Sequence, residues 1–182
     1  TENSSINVNS STTLTYAGII ADNASTYNIT KSGSGSLALS GTHTYDGDTT
    51  ISAGTIVLTG ALNTVTDLVV ASGATFDLQV SHTFASLDLD GTISRSAGTS
   101  TLTISGTSAM GGSVTTSGEQ IYTGAVTLTS ATTIATNSAK VTFTSTINSE
   151  GSETNNLTIT ASETEFNGII GGLRTIGVMD IN

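Results

Sequence analysis

Two aspartates in YDGDTT, Asp46 and Asp48, flank a glycine and could offer oxygen ligands to Ca²⁺ or a carboxylate pair for acid–base work. Asp88 and Asp90 in LDLDG repeat that spacing. Neither pair brings the rest of either chemistry. A calcium loop spaces its ligands D-x-D-x-D-G ahead of a glutamate, and calcium-binding β-rolls repeat GGxGxD; both patterns are missing here. Two solvated carboxylates at a turn account for Asp46 and Asp48. The alternation of Asp88 and Asp90 with Leu87 and Leu89 puts them on the polar side of a strand. Glu150, Glu153, Glu163 and Glu165 gather further negative charge toward the C-terminus, expected as a solvated rim.

Nucleophilic catalysis has little to draw on. His43 and His82 are the only imidazoles, and serines are too numerous for one to stand out. Enzymes that cleave polysaccharides on β-helical scaffolds hold carboxylates a few ångströms apart and use aromatic platforms, yet the chain has no Trp, four Tyr and four Phe. Tyr45 in YDG and Tyr122 in YTG each precede a glycine, as a packed ring beside a corner would. Thr-x-Thr pairs at Thr101/Thr103, Thr127/Thr129, Thr142/Thr144 and Thr158/Thr160 would form a flat hydroxyl array, of the kind that binds ice, if they stacked in register. Thr also suits any exposed strand face, being β-branched and polar. N-x-S/T sequons fall at Asn3, Asn9, Asn23, Asn28 and Asn156, an outcome that a Ser/Thr-rich chain produces by chance. The residues themselves therefore assign no catalytic, metal or cofactor-binding position.

Charge narrows the partners. The 182 residues carry 4 Lys plus Arg against 14 Asp plus Glu, a net charge of −10. Lys31, Arg95, Lys140 and Arg174 lie far apart in the chain, so no basic patch for nucleic acid or an anionic membrane is expected. No apolar run approaches the length of a membrane-spanning helix. The sequence opens at Thr1 without a basic and apolar leader, so a signal peptide is expected to be removed or to lie outside it.

The elements that must position these residues are short strands. Leu37/Leu39, Ile56/Leu58, Leu68/Val70, Phe76/Leu78, Leu87/Leu89, Leu102/Ile104, Val126/Leu128, Val141/Phe143 and Leu157/Ile159 alternate with Ser, Thr or Asp at period two. Gly, Asn, Ser and Thr separate them, and no segment carries a 3.6-residue period. Ser and Thr make up about a third of the chain, and Cys and Pro are absent. Proline cannot donate to a β-ladder, so its absence suits a chain made of interior strands. The step from Leu37/Leu39 to Ile56/Leu58 recurs from Leu68/Val70 to Leu87/Leu89, which predicts a parallel β-solenoid in preference to a sandwich or barrel. At roughly 20 residues per coil, the chain makes about eight coils and a rod ~40 Å long. Its narrow interior should take small apolar residues. Ile6, Val8 and Leu14 near the start and GLRTIGVMDIN at the end read as further coils without caps.

The stretch KSGSGSLALSGTHTYDGDTTISAGTIVLTG, residues 31–60, resembles the autotransporter-associated β-strand repeat of secreted bacterial passenger domains. The matching positions are Lys31, Gly33, Gly35, Leu37, Leu39, Gly41, Tyr45, Gly47, Thr49, Thr50, Ile51, Gly54 and Leu58. His43 stands where Asn is usual, and Asp48 where a second glycine is common. GSVTTSGEQIYTGAVTLTSATTIATNSAKVTFTSTINS and TEFNGIIGG are similar to repeats of filamentous-haemagglutinin-like exoproteins. The likeness divides one solenoid into 1–112, of autotransporter type, and 113–182, of haemagglutinin type. It implies a right-handed parallel β-helix at the bacterial surface, non-catalytic, serving as a rod in an adhesin, a fibre or a biofilm. Expected partners are adjacent repeats or other copies of the chain, and host or cell-surface glycans. The alternatives are a filament subunit stacking through its solenoid ends, a polysaccharide-degrading β-helix, and an ice binder.

Overall fold

A period of two buries one face of each segment and leaves the other to water. The computed structural model describes residues 3–22 and 26–182, in which 22 strands of three to five residues form; those between Ile29 and Thr160 bury one face in this way, the two at each end bury none, and no helix occurs among the described residues. Three sheets form the walls, two of them running the length of the stack. Sheet 1 has eight strands, from Ser4–Asn7 to Ile147–Ser149. Sheet 2 has nine, from Thr13–Tyr16 to Met179–Ile181, and sheet 3 has five, from His82–Phe84 to Glu163–Phe166. Every pairing is parallel and joins one coil to the next.

The coils are marked off along sheet 1. Coils 1 to 8 begin at Ser4, Ile29, Thr49, Leu68, Leu87, Ser108, Val126 and Ile147, each residue facing the next across the ladder. A further turn starts where Ile170 bridges Ile147 and returns to sheet 2 through Met179–Ile181. The expected β-solenoid of about eight coils is therefore the fold. Leu37 faces Ile56 and Leu68 faces Leu87, as the sequence step requires. Sheets 1 and 2 cross residue 112 without interruption.

Stacking in register turns each inward position into a column. On sheet 2, Leu37, Ile56, Phe76, Ile93, Val114, Ile134 and Ile159 follow one another and are fully buried. Burying one such side chain contributes about 1.5–3 kcal/mol. The expectation of a small-residue interior needs correction. Phe76, Phe84, Tyr122 and Phe143 are all inside, and Tyr122, Phe143 and Phe166 stack with ring centroids 5.0 and 5.3 Å apart. Successive coils lie one strand spacing apart, which is also the distance for offset ring stacking, so a column of rings fits where a single ring would strain the wall.

Sheet 3 begins only in coil 4. In coils 1 to 3 the third wall is a run of turns tied by isolated bonds. Thr44 N–H donates to the Ile20 carbonyl (2.9 Å), His43 N–H to the Ala61 carbonyl (2.8 Å), and Ala85 N–H to the Thr66 carbonyl (3.1 Å). Corners between walls depend on glycine. Gly54 has φ +70°, and a Cβ there would collide with the carbonyl oxygens of Gly33 and Gly35 one coil below. Gly112 sits against the Gly91 carbonyl in the same way.

Candidate functional site

Asp46 and Asp48 lie at the corner where the third wall turns into sheet 1. Asp46 N–H donates to Asp22 Oδ2 (3.0 Å) and Asp48 N–H to Asn28 Oδ1 (2.9 Å), so coils 1 and 2 are laced by side-chain caps. A hydrogen bond between the Asp46 and Asp22 side chains holds the Asp46 carboxyl above its ordinary range, while Asp22, bonded to the Asp46 backbone and side chain, is held below. Burial, with the charge of Asp67 behind it, raises Asp48. No three His, Cys, Asp or Glu side chains converge to hold a metal ion among the described residues. Asp88 and Asp90 are exposed on sheet 1, and Asp88 is flanked in the ladder by Val69 and Ala109. The two pairs sit on different coils and do not meet.

The acidic group near the C-terminus is solvent-exposed, and a lysine joins two of its members. Glu150 and Glu153 are exposed, and Lys140 reaches Glu163 (3.1 Å) and Glu165 (2.5 Å) across sheet 3. Those hydrogen bonds raise the Lys140 pKa and lower that of Glu165. Shallow grooves open on the surface of the described residues. One, of about 270 Å³, is lined by Ser4, Ile20, Ala21, Tyr27, Ile29 and Tyr45. Another, of about 330 Å³, is lined by Thr64, Ser81, His82, Thr83, Thr101 and Thr103. Neither wall includes a carboxylate.

The Thr-x-Thr pairs do not build a flat array. Thr101/Thr103 and Thr142/Thr144 fall on the third wall, Thr127/Thr129 on the first and Thr158/Thr160 on the second. Between Thr103 and Thr142 the outward position is Ile121. Hydroxyls do stack elsewhere, in a single column along sheet 2 from Thr13 through Ser36, Thr55, Thr75, Thr92 and Ser113 to Thr133 and Thr158. Its signal in the sequence is a Ser or Thr directly before an apolar residue, as in Ser36-Leu37, Thr55-Ile56 and Thr92-Ile93. Beside it, the loop after Ser94 folds over Asp77, whose carboxylate accepts from Ser96 N–H (2.8 Å), the Ser96 hydroxyl (2.5 Å) and the Gln79 amide (2.8 Å).

Tyr45 and Tyr122 are packed rings. The Tyr45 hydroxyl shares a 2.6 Å bond with Thr49 Oγ1, and burial pushes its pKa up to about 12. Tyr122 donates to Gln120 Oε1 (2.8 Å), and Gln120 in turn donates to Thr116 Oγ1 (3.1 Å) and the Ala135 carbonyl (2.8 Å). Lys31 gives no such warning in the sequence, since a charged residue normally reads as surface. It is fully buried, and its ammonium donates to the carbonyls of Ser32 (2.9 Å), Gly33 (2.6 Å) and Ala53 (3.0 Å). Burial lowers its pKa. The ammonium thus satisfies three carbonyls that the glycine corner of coils 2 and 3 turns inward.

Of the sequons, Asn28 is half-buried with its amide oxygen committed to Asp48, and Asn156 Oδ1 accepts Val178 N–H (2.8 Å). Asn3 Oδ1 accepts Asn28 N–H (3.4 Å), and Asn9 is exposed. Asn23 lies outside the described residues. Compared with known proteins, residues 29–58 match the family model described as the passenger-associated-transport-repeat. That span covers coil 2 and the first two strands of coil 3, with Lys31, Tyr45 and Gly54 inside it. No curated protein and no solved structure matches the chain.

Proposed function

We propose that the chain, carrying this passenger-associated-transport-repeat, is a non-catalytic rod in an exported bacterial surface protein, where it holds an adhesive or biofilm-forming part away from the cell. The supporting observation is the continuity of the parallel ladders: each coil is hydrogen-bonded to the next along two or three walls from Ser4 to Ile181. Such a stack resists extension because every inter-coil contact must be broken in turn. It also resists digestion, as Lys31 is buried and Lys140 is paired, which leaves Arg95 and Arg174 as the basic cleavage points. An exported, surface-exposed position is what the repeat family implies. Other copies of the chain, or glycans, are its expected partners.

The test is antibody labelling of intact source cells against an epitope in coils 2 and 3, before and after protease treatment. Labelling of intact cells is expected, and an epitope reached only after lysis overturns the reading. A parallel assay for new reducing ends on acidic polysaccharides is expected to stay at background. Activity lost in Asp46→Asn or Asp88→Asn would replace the rod with the enzyme reading.

A further inference from the structure

The chain has two histidines, and both lie on the third wall of its N-terminal half, His43 in coil 2 and His82 in coil 4. Both are about nine-tenths buried or more, and the Nε2 atom of each is shut off from solvent with no hydrogen-bond partner. The Nδ1 of His43 accepts the Ile20 N–H at 3.1 Å, which fixes a neutral ring with its proton on Nε2. That bond ties coil 1 to coil 2 beside the Thr44–Ile20 backbone bond. A protonated ring carries hydrogen on both nitrogens, so the acceptor facing Ile20 N–H would become a donor facing a donor.

The surroundings offer a second proton no carboxylate, and although the Asn63 backbone favours the charged form of His82, burial outweighs it. Around His43 stand the Tyr16 ring (6.1 Å) and the Ile20 backbone; around His82 stand the Phe84 ring (4.6 Å), the Asn63 backbone and the hydroxyls of Thr83 and Thr103. No carboxylate comes within ion-pair distance of either imidazole among the described residues, where Lys140 makes the ion pairs. The acidic corner of coils 1 and 2, Asp22 with Asp46, is bonded within itself.

We propose that His43 and His82 form an acid-sensitive latch: neutral, they close the third wall of coils 1 to 4, and protonation opens that wall from the N-terminal side while coils 6 to 8, which hold no histidine, stay shut. In a solenoid each coil contacts only its neighbours, so opening can be confined to one end. Desolvation lowers the pKa of both rings, that of His82 to about 4. A folded pKa below the unfolded value of about 6.5 means that the contribution is complete above pH 6.5 and is lost as pH falls. For His82 the loss ends near pH 4. Per ring, the opening equilibrium rises up to about tenfold for each pH unit in that window. Asp46 and Asp48 have raised pKa values and act in the opposite sense, gaining stability as pH falls. Asp22 and Glu165, held below their ordinary values, lose stability only near and below pH 4.5, so among these groups only the histidines weaken the fold as pH falls from 7 to 5, and Asp46 and Asp48 can only oppose them.

Native-state amide exchange of the whole chain from pH 7 to 5, corrected for intrinsic rates, reads the latch coil by coil. Opening in coils 1 and 2 is expected to rise up to about tenfold per unit below pH 6.5, with coils 6 to 8 unchanged. His43→Asn keeps an acceptor but cannot titrate, and His82→Leu matches its ladder neighbour Leu102. Together they are expected to flatten the profile, and His43→Asn alone to flatten coil 1 if the double variant does not fold. A flat wild-type profile, an equal rise in coils 6 to 8, or a slope that survives in His43→Asn at coil 1 would each overturn the proposal.

Discussion

Lys31 is the residue at which charge and burial conflict most openly. An ammonium inside a protein needs either a counter-ion or a full set of acceptors, and here it has three backbone carbonyls and no carboxylate. Removing it takes the side-chain donor from the half-buried Gly33 and Ala53 carbonyls, while the Ser32 carbonyl keeps the Val8 N–H. Lys31→Met, close in volume but without a donor, is expected to cost about 3 kcal/mol, read as a lower urea midpoint with an unchanged slope. Tyr45→Phe leaves Thr49 without its 2.6 Å partner and is expected to cost about 1 kcal/mol in the same assay. Lys140→Met tests the opposite setting. Its ion pairs are exposed, so the midpoint should shift slightly at low salt and not at all at about 1 M salt.

Columns and corners govern the next scale. Phe143 lies between Tyr122 and Phe166, so Phe143→Ala removes a ring from the middle of a stack. The expected loss is about 3–5 kcal/mol, accompanied by loss of the near-ultraviolet dichroism of Tyr122. Two glycines with the same backbone sign separate strain from collision. Gly73 has φ +78° with nothing near a Cβ, and Gly73→Ala is expected to cost about 1 kcal/mol, the left-handed penalty alone. Gly54→Ala meets the Gly33 and Gly35 carbonyls as well, and coils 2 and 3 must part to admit it. Its midpoint should fall well beyond that of Gly73→Ala. Equal shifts would mean that the corner has slack.

Across the whole molecule, the coil is the unit of insertion and loss. Removing residues 108–125 deletes coil 6 together with the Thr116–Gln120–Tyr122 network it contains, and sets Val126 over Leu87 and Val141 over Leu102. All four are inward apolar residues, so the stack should close on itself. A folded rod shorter by about 4.8 Å is expected in small-angle scattering, with its β dichroism kept. Removing about half a coil instead puts inward side chains onto the wrong wall and should leave the C-terminal coils unpaired.

The alternation of Leu, Ile and Val with Ser and Thr was enough to determine strands, their buried faces and the length of a coil, because a period of two and a step near 20 residues are local properties of the chain. All nine segments read that way are strands with those apolar residues inside. The packed state of Tyr45 and Tyr122 was legible too, from the glycine corner beside each. Tertiary structure alone decided which coil positions share a wall. Coils differ by several residues, from the 18 between Ser108 and Val126 to the 25 between Ser4 and Ile29, and each extra residue moves the later positions of its coil around the perimeter. Equal Thr-x-Thr phrases therefore land on three walls, whereas unlike phrases bring Thr13 and Thr158 into one column. Burial of Lys31, His43 and His82 was decided in the same way, since a polar residue enters the interior when its phase around the coil points inward, whatever its own solubility.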